Sequence, residues 1–251
     1  MSKSEILEYL SQDISTENIH IYDTLESTNE TAKEMAAGGC PHGTVVLADC
    51  QTAGKGRRGR GFYSPKGSGL YMSVVLHSGC IALPDITMIT PAAAVAVCRA
   101  IKTVTGIETG IKWVNDILLD GKKVCGILTE TAAGSVVVGI GINVNTEHFP
   151  EEINQTAASL CVPNIRNRLT AEIINTLLIS GLLSDSDKIY NEYKKRLATL
   201  GREITVIQGN DRYPATAIDI NKSGHLIAQK PGGSIVLLSS GEVSTELDNI
   251  S

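Results

Sequence analysis

The sequence predicts an α/β chain, of the α+β type, that ends in a small β-barrel. Two observations predict it. From residue 19 to residue 200, short β-prone runs alternate with helical patterns. After Gly201 the helical pattern stops, and four short β-prone runs follow between turn residues. The boundary falls near residue 200 and divides the chain into units 1–200 and 201–251. A chain of 251 residues is long enough to bury a substantial core.

The elements follow in order. Ile6, Leu7 and Leu10 share a face, so residues 1–18 are read as one short helix with a polar remainder. Ile19-His20-Ile21-Tyr22 reads as a strand. Ser27-Thr28-Asn29-Glu30 has the spacing of a capping box, and the helix it opens runs to Ala37 before Gly38-Gly39 stops it. Thr44 to Ala48 is a second strand. Residues 51–69 are crowded with glycine and form a loop, and Leu70 to Leu76 is a third strand. Ile86 to Val104 reads as a buried helix whose Ala92, Ala93, Ala94 and Ala96 permit close packing. Strand-like runs follow at Gly110–Val114 and Ile117–Leu119, a turn at Asp120-Gly121, and strands at Val124–Glu130 and Ser135–Asn145. Leu169 to Leu200 is helical with a break near Ser180–Ser186. The C-terminal unit has strands at Glu203–Gln208, Tyr213–Asn221, Gly224–Gln229 and Ile235–Leu238. Its turns lie at Gly209-Asn210-Asp211, Lys222-Ser223-Gly224 and Pro231-Gly232-Gly233.

Composition narrows the function. Hydrophobic residues make up 42% and charged residues 20%, the balance of a folded chain and not of a disordered one. The formal charge is −5, which argues against a general nucleic-acid or anionic-membrane binder. No Cys pairs as C-x-x-C and none lies near a His at zinc-finger spacing, so no metal site is predicted and the six thiols are expected to be free. The start Met1-Ser2-Lys3-Ser4-Glu5 is polar and leads into no signal-type segment. The longest apolar region, Ile86 to Val97, is broken by Thr87, Thr90 and Pro91, so no membrane span is expected. A cytoplasmic protein follows as the expectation.

Against that acidic background, Lys55, Arg57, Arg58 and Arg60 fall within six positions. Gly54-Lys55-Gly56-Arg57-Arg58-Gly59 literally matches the dinucleotide fingerprint G-x-G-x-x-G. That fingerprint needs a helix opening inside it, and Arg60 to Gly69 cannot form one, so the Rossmann reading is rejected. Three readings stay open: a mobile loop that grips phosphate through backbone N–H groups and forked arginines, a solvated basic loop, and a nucleic-acid loop. Lys112-Trp113-Val114-Asn115-Asp116, with Lys123 and Gly126 on the next strand, gathers a carboxylate and two lysines at one hairpin. Residue by residue this has an ordinary structural reading. Taken together it suits an anionic reactant and an amine that must lose a proton. Gly139-Ile140-Gly141-Ile142-Asn143 is a strand whose glycines mark either a bulge or the close approach of a ligand.

These segments, with Glu26-Ser27-Thr28-Asn29, stand in the order and spacing of bacterial biotin protein ligases, and the chain resembles that family from about Tyr22 to its end. The resemblance implies a mixed-sheet biotin ligase/lipoate ligase-like catalytic domain followed by an SH3-like β-barrel. Many relatives carry an N-terminal DNA-binding domain. Here about 20 residues precede the first motif, so the short, enzyme-only form is expected and no DNA binding. The implied activity is ATP-dependent: biotin becomes biotinyl-5′-AMP, and a lysine of the biotin carboxyl carrier protein or domain of a carboxylase then takes the acyl group. Mg²⁺ would screen the phosphates of ATP.

By the resemblance, Ser27, Thr28, Asn29, Gln51, Gly54 and Gly126 bind biotin. Arg57 and Lys123 clamp its carboxylate and the α-phosphate. Lys55, Arg58, Arg60, Phe62, Lys112, Asn115 and Asn143 serve ATP. Asp116 orients or deprotonates the incoming lysine. Relatives dimerise through sheet edges, so a homodimer is one implied assembly. Three positions depart from the family pattern: Lys55 stands where Arg is frequent, Val114 where Pro is usual, and Phe62 near a Trp position tied to adenine or loop packing. The alternatives are a lipoate or octanoate ligase or transferase, which shares the acyl-to-lysine chemistry, and a non-enzymatic biotin sensor or regulator.

Overall fold

The computed structural model describes residues 1–83, 85–208, 211–239 and 241–245. The first unit contains α1 (Lys3–Leu7), β1 (Ile19–Leu25), α2 (Thr28–Ala37), β2 (Thr44–Gln51), β3 (Gly69–His77), α3 (Ile89–Thr105), β4 (Gly110–Lys112), β5 (Asp116–Leu119), β6 (Lys122–Ala132), β7 (Ser135–Asn143), α4 (Arg166–Leu178) and α5 (Ser186–Arg196). Its seven strands form one sheet in the order β1-β2-β3-β7-β6-β5-β4. Only β1 and β2 run parallel, joined through α2; every other neighbour is antiparallel. The sheet is therefore mixed. The tight hairpin turns use residues that accept positive φ, Asp120-Gly121 before β6 and Ala133-Gly134 before β7.

Strand periodicity divides the core between the two faces. Val46, Val75 and Val137 pack against Ala32 and Ala36 of α2. The alternate positions Val45, Leu47, Val74, Leu76, Val136 and Val138 join the larger cluster with α3 and α4. Covered on both faces, β3 is buried along nearly its whole length. By length and composition alone the stretch Ile86–Thr105 could cross a membrane, but it is a helix of the core, in keeping with the expectation drawn from Thr87, Thr90 and Pro91. Most of its apolar side chains, Ala92 to Val97 included, are buried in the core against α4 and the sheet, while Ile86 at its start is exposed. The six cysteines are free, and burial pushes the thiols of Cys98 and Cys125 up in pKa, the first to about 11.

The second unit is one antiparallel sheet, ordered β11-β10-β9-β8-β12, of β8 (Glu203–Gln208), β9 (Asp211–Ile220), β10 (Leu226–Gln229), β11 (Ile235–Leu238) and β12 (Glu242–Thr245). Four strands are expected from sequence, and β12 is the fifth. Its sequence, Glu-Val-Ser-Thr, carries little apolar signal, and pairing with β8 makes it a strand. Gly224 is a turn residue at φ 75°, so β10 starts at Leu226 and not at Gly224. The turn residues Gly209 and Asn210 lie outside the described residues, as do residues 246–251.

A second correction concerns α2. Ser27 is its N-cap, but the Ser27 side chain makes no capping hydrogen bond. The Glu30 carboxylate pairs with Lys33 at 2.7 Å and Lys55 at 2.5 Å and does not return to the helix start. Two ammonium partners outcompete one backbone N–H, so the S-x-x-E spacing is not a capping box here.

The junction of the units is hydrogen-bonded. The Trp113 indole N–H donates to Gly224 O at 2.9 Å, and the Trp113 backbone N–H donates to Thr199 Oγ1 at 3.0 Å. Tyr193 OH donates to Val114 O at 2.8 Å, and Lys194 pairs with Asp219 at 2.6 Å. The peptide between Trp113 and Val114 is cis. Trp113 is buried, so Trp113→Phe leaves the Gly224 carbonyl without its donor and is expected to cost about 1–3 kcal/mol. Urea unfolding followed by far-ultraviolet circular dichroism measures this; an unchanged midpoint would show that the bond contributes nothing to stability.

Candidate active site

A cleft of about 450 Å³ opens where the start of α2 meets the sheet. Its inner end is polar. Ser27, Thr28 and Asn29 are almost fully buried. Gln51 Oε1 accepts from the Thr28 backbone N–H at 2.8 Å and from the Thr28 hydroxyl at 3.2 Å. Gln51 Nε2 donates to Ser64 Oγ at 2.8 Å, and the Ser64 hydroxyl donates to Phe62 O at 2.9 Å. Ser73 Oγ lies 2.6 Å from Asn29 Oδ1 and 2.9 Å from Thr28 Oγ1. The α2 crossover delivers these side chains, because it starts at the end of β1 beside the end of β2.

The floor is glycine. A Cβ on Gly139 would lie 2.1 Å from Asn29 Oδ1, and one on Gly141 would lie 2.5 Å from the Phe62 ring. A Cβ on Gly126 would meet Lys123 Cε at 3.0 Å and the Phe62 ring at 3.3 Å. Only glycine lets Asn29, Phe62 and Lys123 lie this close to the sheet backbone. Phe62 also meets Tyr71 edge to face at 6.3 Å between centroids.

The mouth is cationic. Lys123 pairs with Asp116 at 2.9 Å, and its Nζ lies 5.9 Å from the Phe62 centroid. Asn115 sits in the turn between β4 and β5. It donates to Ile127 O at 2.9 Å and to Asp116 Oδ1 at 3.1 Å, and accepts from Arg57 Nη1 at 3.0 Å. Burial, with Arg58 alongside, pulls the pKa of Arg57 down from its ordinary value. Beyond Arg57 and Lys123 the cleft continues into a second space of about 610 Å³, lined by Arg58, Arg60, Lys112 and Asp116 and by Gly241 and Glu242 of the second unit. There the loop arginines reach across. Arg57 donates to Gly241 O and Arg58 to Ile207 O, each at 3.0 Å, and Arg60 makes a forked pair with Glu242 at 2.7 Å.

The structure thus gathers Ser27, Thr28, Asn29, Gln51, Lys55, Arg57, Phe62, Asn115, Lys123 and Gly126 at one cleft, and Arg58, Arg60, Lys112 and Asp116 in the space that continues it. Two expected residues stand elsewhere. Gly54 lies behind the wall, where a Cβ would strike Phe62 O at 2.6 Å and Ser64 Oγ at 2.7 Å, so it shapes the loop and does not line the cleft. Asn143 is buried and donates to Ala158 O at 3.0 Å, fastening the segment after β7. Phe62 belongs to the inner cleft and not to the outer space alone. Sequence reasoning missed Ser73, Ser64, Glu130 and Glu242. None stands in a motif, and Ser73, Glu130 and Glu242 meet partners distant in the chain.

The mixed sheet with a small SH3-like antiparallel unit after it is the fold of the biotin protein ligases. Residues 21–147 match the family model "Biotin/lipoate A/B protein ligase family", residues 199–245 match "Biotin protein ligase C terminal domain", and the chain belongs to that ligase family. It is 40% identical over 77% of its length to the bifunctional ligase/repressor BirA of Bacillus spizizenii, and it spans 60% of that relative's length. It is 32% identical to the biotin–[acetyl-CoA-carboxylase] ligase of Mycobacterium tuberculosis, covering 86% of this chain and 85% of that one. The solved biotin protein ligase of Aquifex aeolicus in complex with biotin and ATP superposes with a TM-score of 0.79 at 28% identity, over 90% of this chain and 97% of that one.

Two predictions follow from the geometry. Gly141→Ala should expel the Phe62 ring from the floor while leaving the fold in place; a crystal structure of the variant with Phe62 unmoved would refute this. Glu30 provides a pH test. Its hydrogen bonds from Lys33 and Lys55 hold its pKa below 4.5 in the folded protein. A folded value below the unfolded one gives stability that is complete above about 4.5 and lost as pH falls through the folded value. The pair is partly exposed, so the gain is less than about 1 kcal/mol. Glu30→Gln is therefore expected to lower Tm slightly at pH 7 and to flatten its fall below pH 4.5; parallel Tm–pH curves would contradict this.

Proposed function

We propose that the chain is an ATP-dependent biotin protein ligase. It would make biotinyl-5′-AMP and pass biotin to a lysine of a biotin carboxyl carrier domain, such as that of acetyl-CoA carboxylase. The observation that carries this reading is the single cleft joining a buried donor-and-acceptor end to a cationic mouth. Biotin has the same polarity: a ureido ring with two N–H donors and a carbonyl acceptor, an apolar ring, and a carboxylate at the end of a tail. Ser27, Thr28, Asn29 and Gln51 would meet the ureido ring, the glycine floor and Phe62 the apolar ring, and Arg57 and Lys123 the carboxylate. The family model for the second unit is that of the biotin branch. Residues 1–200 would form the catalytic unit and 201–251 the SH3-like barrel, in the cytoplasm.

The first step joins two anions, so its barrier is largely electrostatic. A carboxylate oxygen attacks the α-phosphorus, the bond to the β-phosphate oxygen breaks, and pyrophosphate leaves. Arg57 and Lys123, with Lys112, Arg58 and Arg60 in the adjoining space, would offset the converging charge. Arg58 and Arg60 would exchange Ile207 O and Glu242 for phosphate oxygens. No group of three or more His, Cys, Asp or Glu that could hold a metal ion occurs among the described residues. Mg²⁺ enters this reading only as the companion of the ATP phosphates. In the second step the acceptor amine attacks the acyl carbon, AMP leaves, and the amine proton passes to a base. Asp116, held beside the mouth by Lys123 and Asn115, would orient that amine or take its proton.

A lipoate or octanoate ligase or transferase is the second reading, on the breadth of the family model. Those acids have no ureido group, so the buried hydroxyls and amides would be left unpaired. Sites built around buried hydrogen bonds reject ligands lacking the matching groups by factors on the order of 10⁴.

ATP–pyrophosphate exchange with biotin, against lipoate as control, tests the proposal. Exchange with biotin is expected, and exchange with lipoate alone would overturn it. Lys123→Ala is expected to lower biotin-dependent exchange about 100-fold or more. Arg57→Ala is expected to keep the fold while adenylate forms slowly or escapes; wild-type yield and retention of adenylate would contradict its role.

A further inference from the structure

The amide of Asn29 is held in one orientation by groups outside the cleft. Its Nδ2 donates to Glu130 Oε2 at 2.8 Å and to Leu128 O at 3.3 Å, which occupies both amide hydrogens. Its Oδ1 lies over Gly139 and is 2.6 Å from Ser73 Oγ, with one lone pair left for a ligand. Asn29 therefore offers the cleft an acceptor and no donor. A carboxylate can only accept, so a Glu130 carboxylate excludes the flipped amide, in which Oδ1 would face Oε2.

Glu130 does not line the cleft. It stands on β6, and its other oxygen, Oε1, pairs with Lys33 at 3.1 Å. Lys33 is shared with Glu30, and Glu30 with Lys55 of the basic loop. Glu130 thus stands at the end of an alternating row of ions that begins on the loop.

We infer that Glu130 is a positioning residue that sets the polarity of the cleft's inner end through Asn29, so that this end selects a ligand presenting an N–H group there. The identity of that ligand as the ureido ring of biotin rests on the function proposed above; the orientation of Asn29 does not. Lys33 supports Glu130, and loosening either frees the amide to turn.

Two measurements test this. In ligand-free, ¹⁵N-labelled protein, the Asn29 side-chain NH₂ signals, identified by their loss in Asn29→Ser, are expected to exchange slowly with water. In Glu130→Ala that exchange is expected to quicken about tenfold, with a smaller effect in Lys33→Met. Unchanged exchange in Glu130→Ala would overturn the inference. If that variant does not fold, Glu130→Gln decides the matter, because its amide tolerates either orientation of Asn29. In biotin-dependent exchange, Glu130→Gln is expected to raise KM for biotin about tenfold, with kcat and KM for ATP within about twofold. A loss of stability with KM for biotin unchanged would reduce Glu130 to a structural role and overturn the inference. If the wild type fails to use biotin at all, the functional reading falls, while the amide exchange still decides the role of Glu130.

Discussion

The inner cleft depends on what two positions of β7 leave out: with side chains at Gly139 and Gly141, neither the first turn of α2 nor Phe62 could rest against the sheet. Many of the sheet's other central positions carry valine, leucine and isoleucine that fill both faces. At these two glycines the packing stops, and the space passes to Asn29 from one side and to an aromatic ring from another. The polar network of Thr28, Gln51, Ser64 and Ser73 then has a fixed wall to be built against. Its groups are buried, so their unsatisfied valences are costly unless something fills the cleft. Ser27, buried at the start of α2, makes no side-chain capping hydrogen bond.

The same economy governs the cations. A chain of net charge −5 places three arginines on one short loop, and in this state each has a partner. Arg57 has Asn115 and Gly241 O, Arg58 has Ile207 O, and Arg60 has Glu242. The second unit supplies most of these acceptors. These contacts fasten the loop to the second unit. An anion entering the outer space would have to displace carbonyls and one carboxylate from these guanidinium groups, for which charge and forked geometry would equip it.

Much of the fold was legible because each strand and helix announces itself locally. The Val136–Val138 run, the alanines of α3 and the Asp120-Gly121 turn act through neighbours in sequence. The loop arginines, Lys112 and the Asn115–Asp116 pair were legible as motifs, and Ser27 to Asn29 through family likeness. Other features depend on distant partners. β12 is a strand because β8 lies beside it, not because Glu-Val-Ser-Thr favours one. Glu130 matters through a helix 101 residues away in the chain, and Glu242 through a loop 182 residues away. The capping-box spacing misled for the same reason, since Glu30 found Lys55 across space. Asn143 carries a motif position, yet its side chain fastens a neighbouring segment.

Trp113 is the single tryptophan of the chain; it borders the outer space, and its indole is bonded to a carbonyl of the second unit. The molecule's one strong fluorophore thus lies at the junction of the two units. Emission colour and intensity then report, without any attached dye, whether the two units are seated together and whether the neighbouring space is wet or filled.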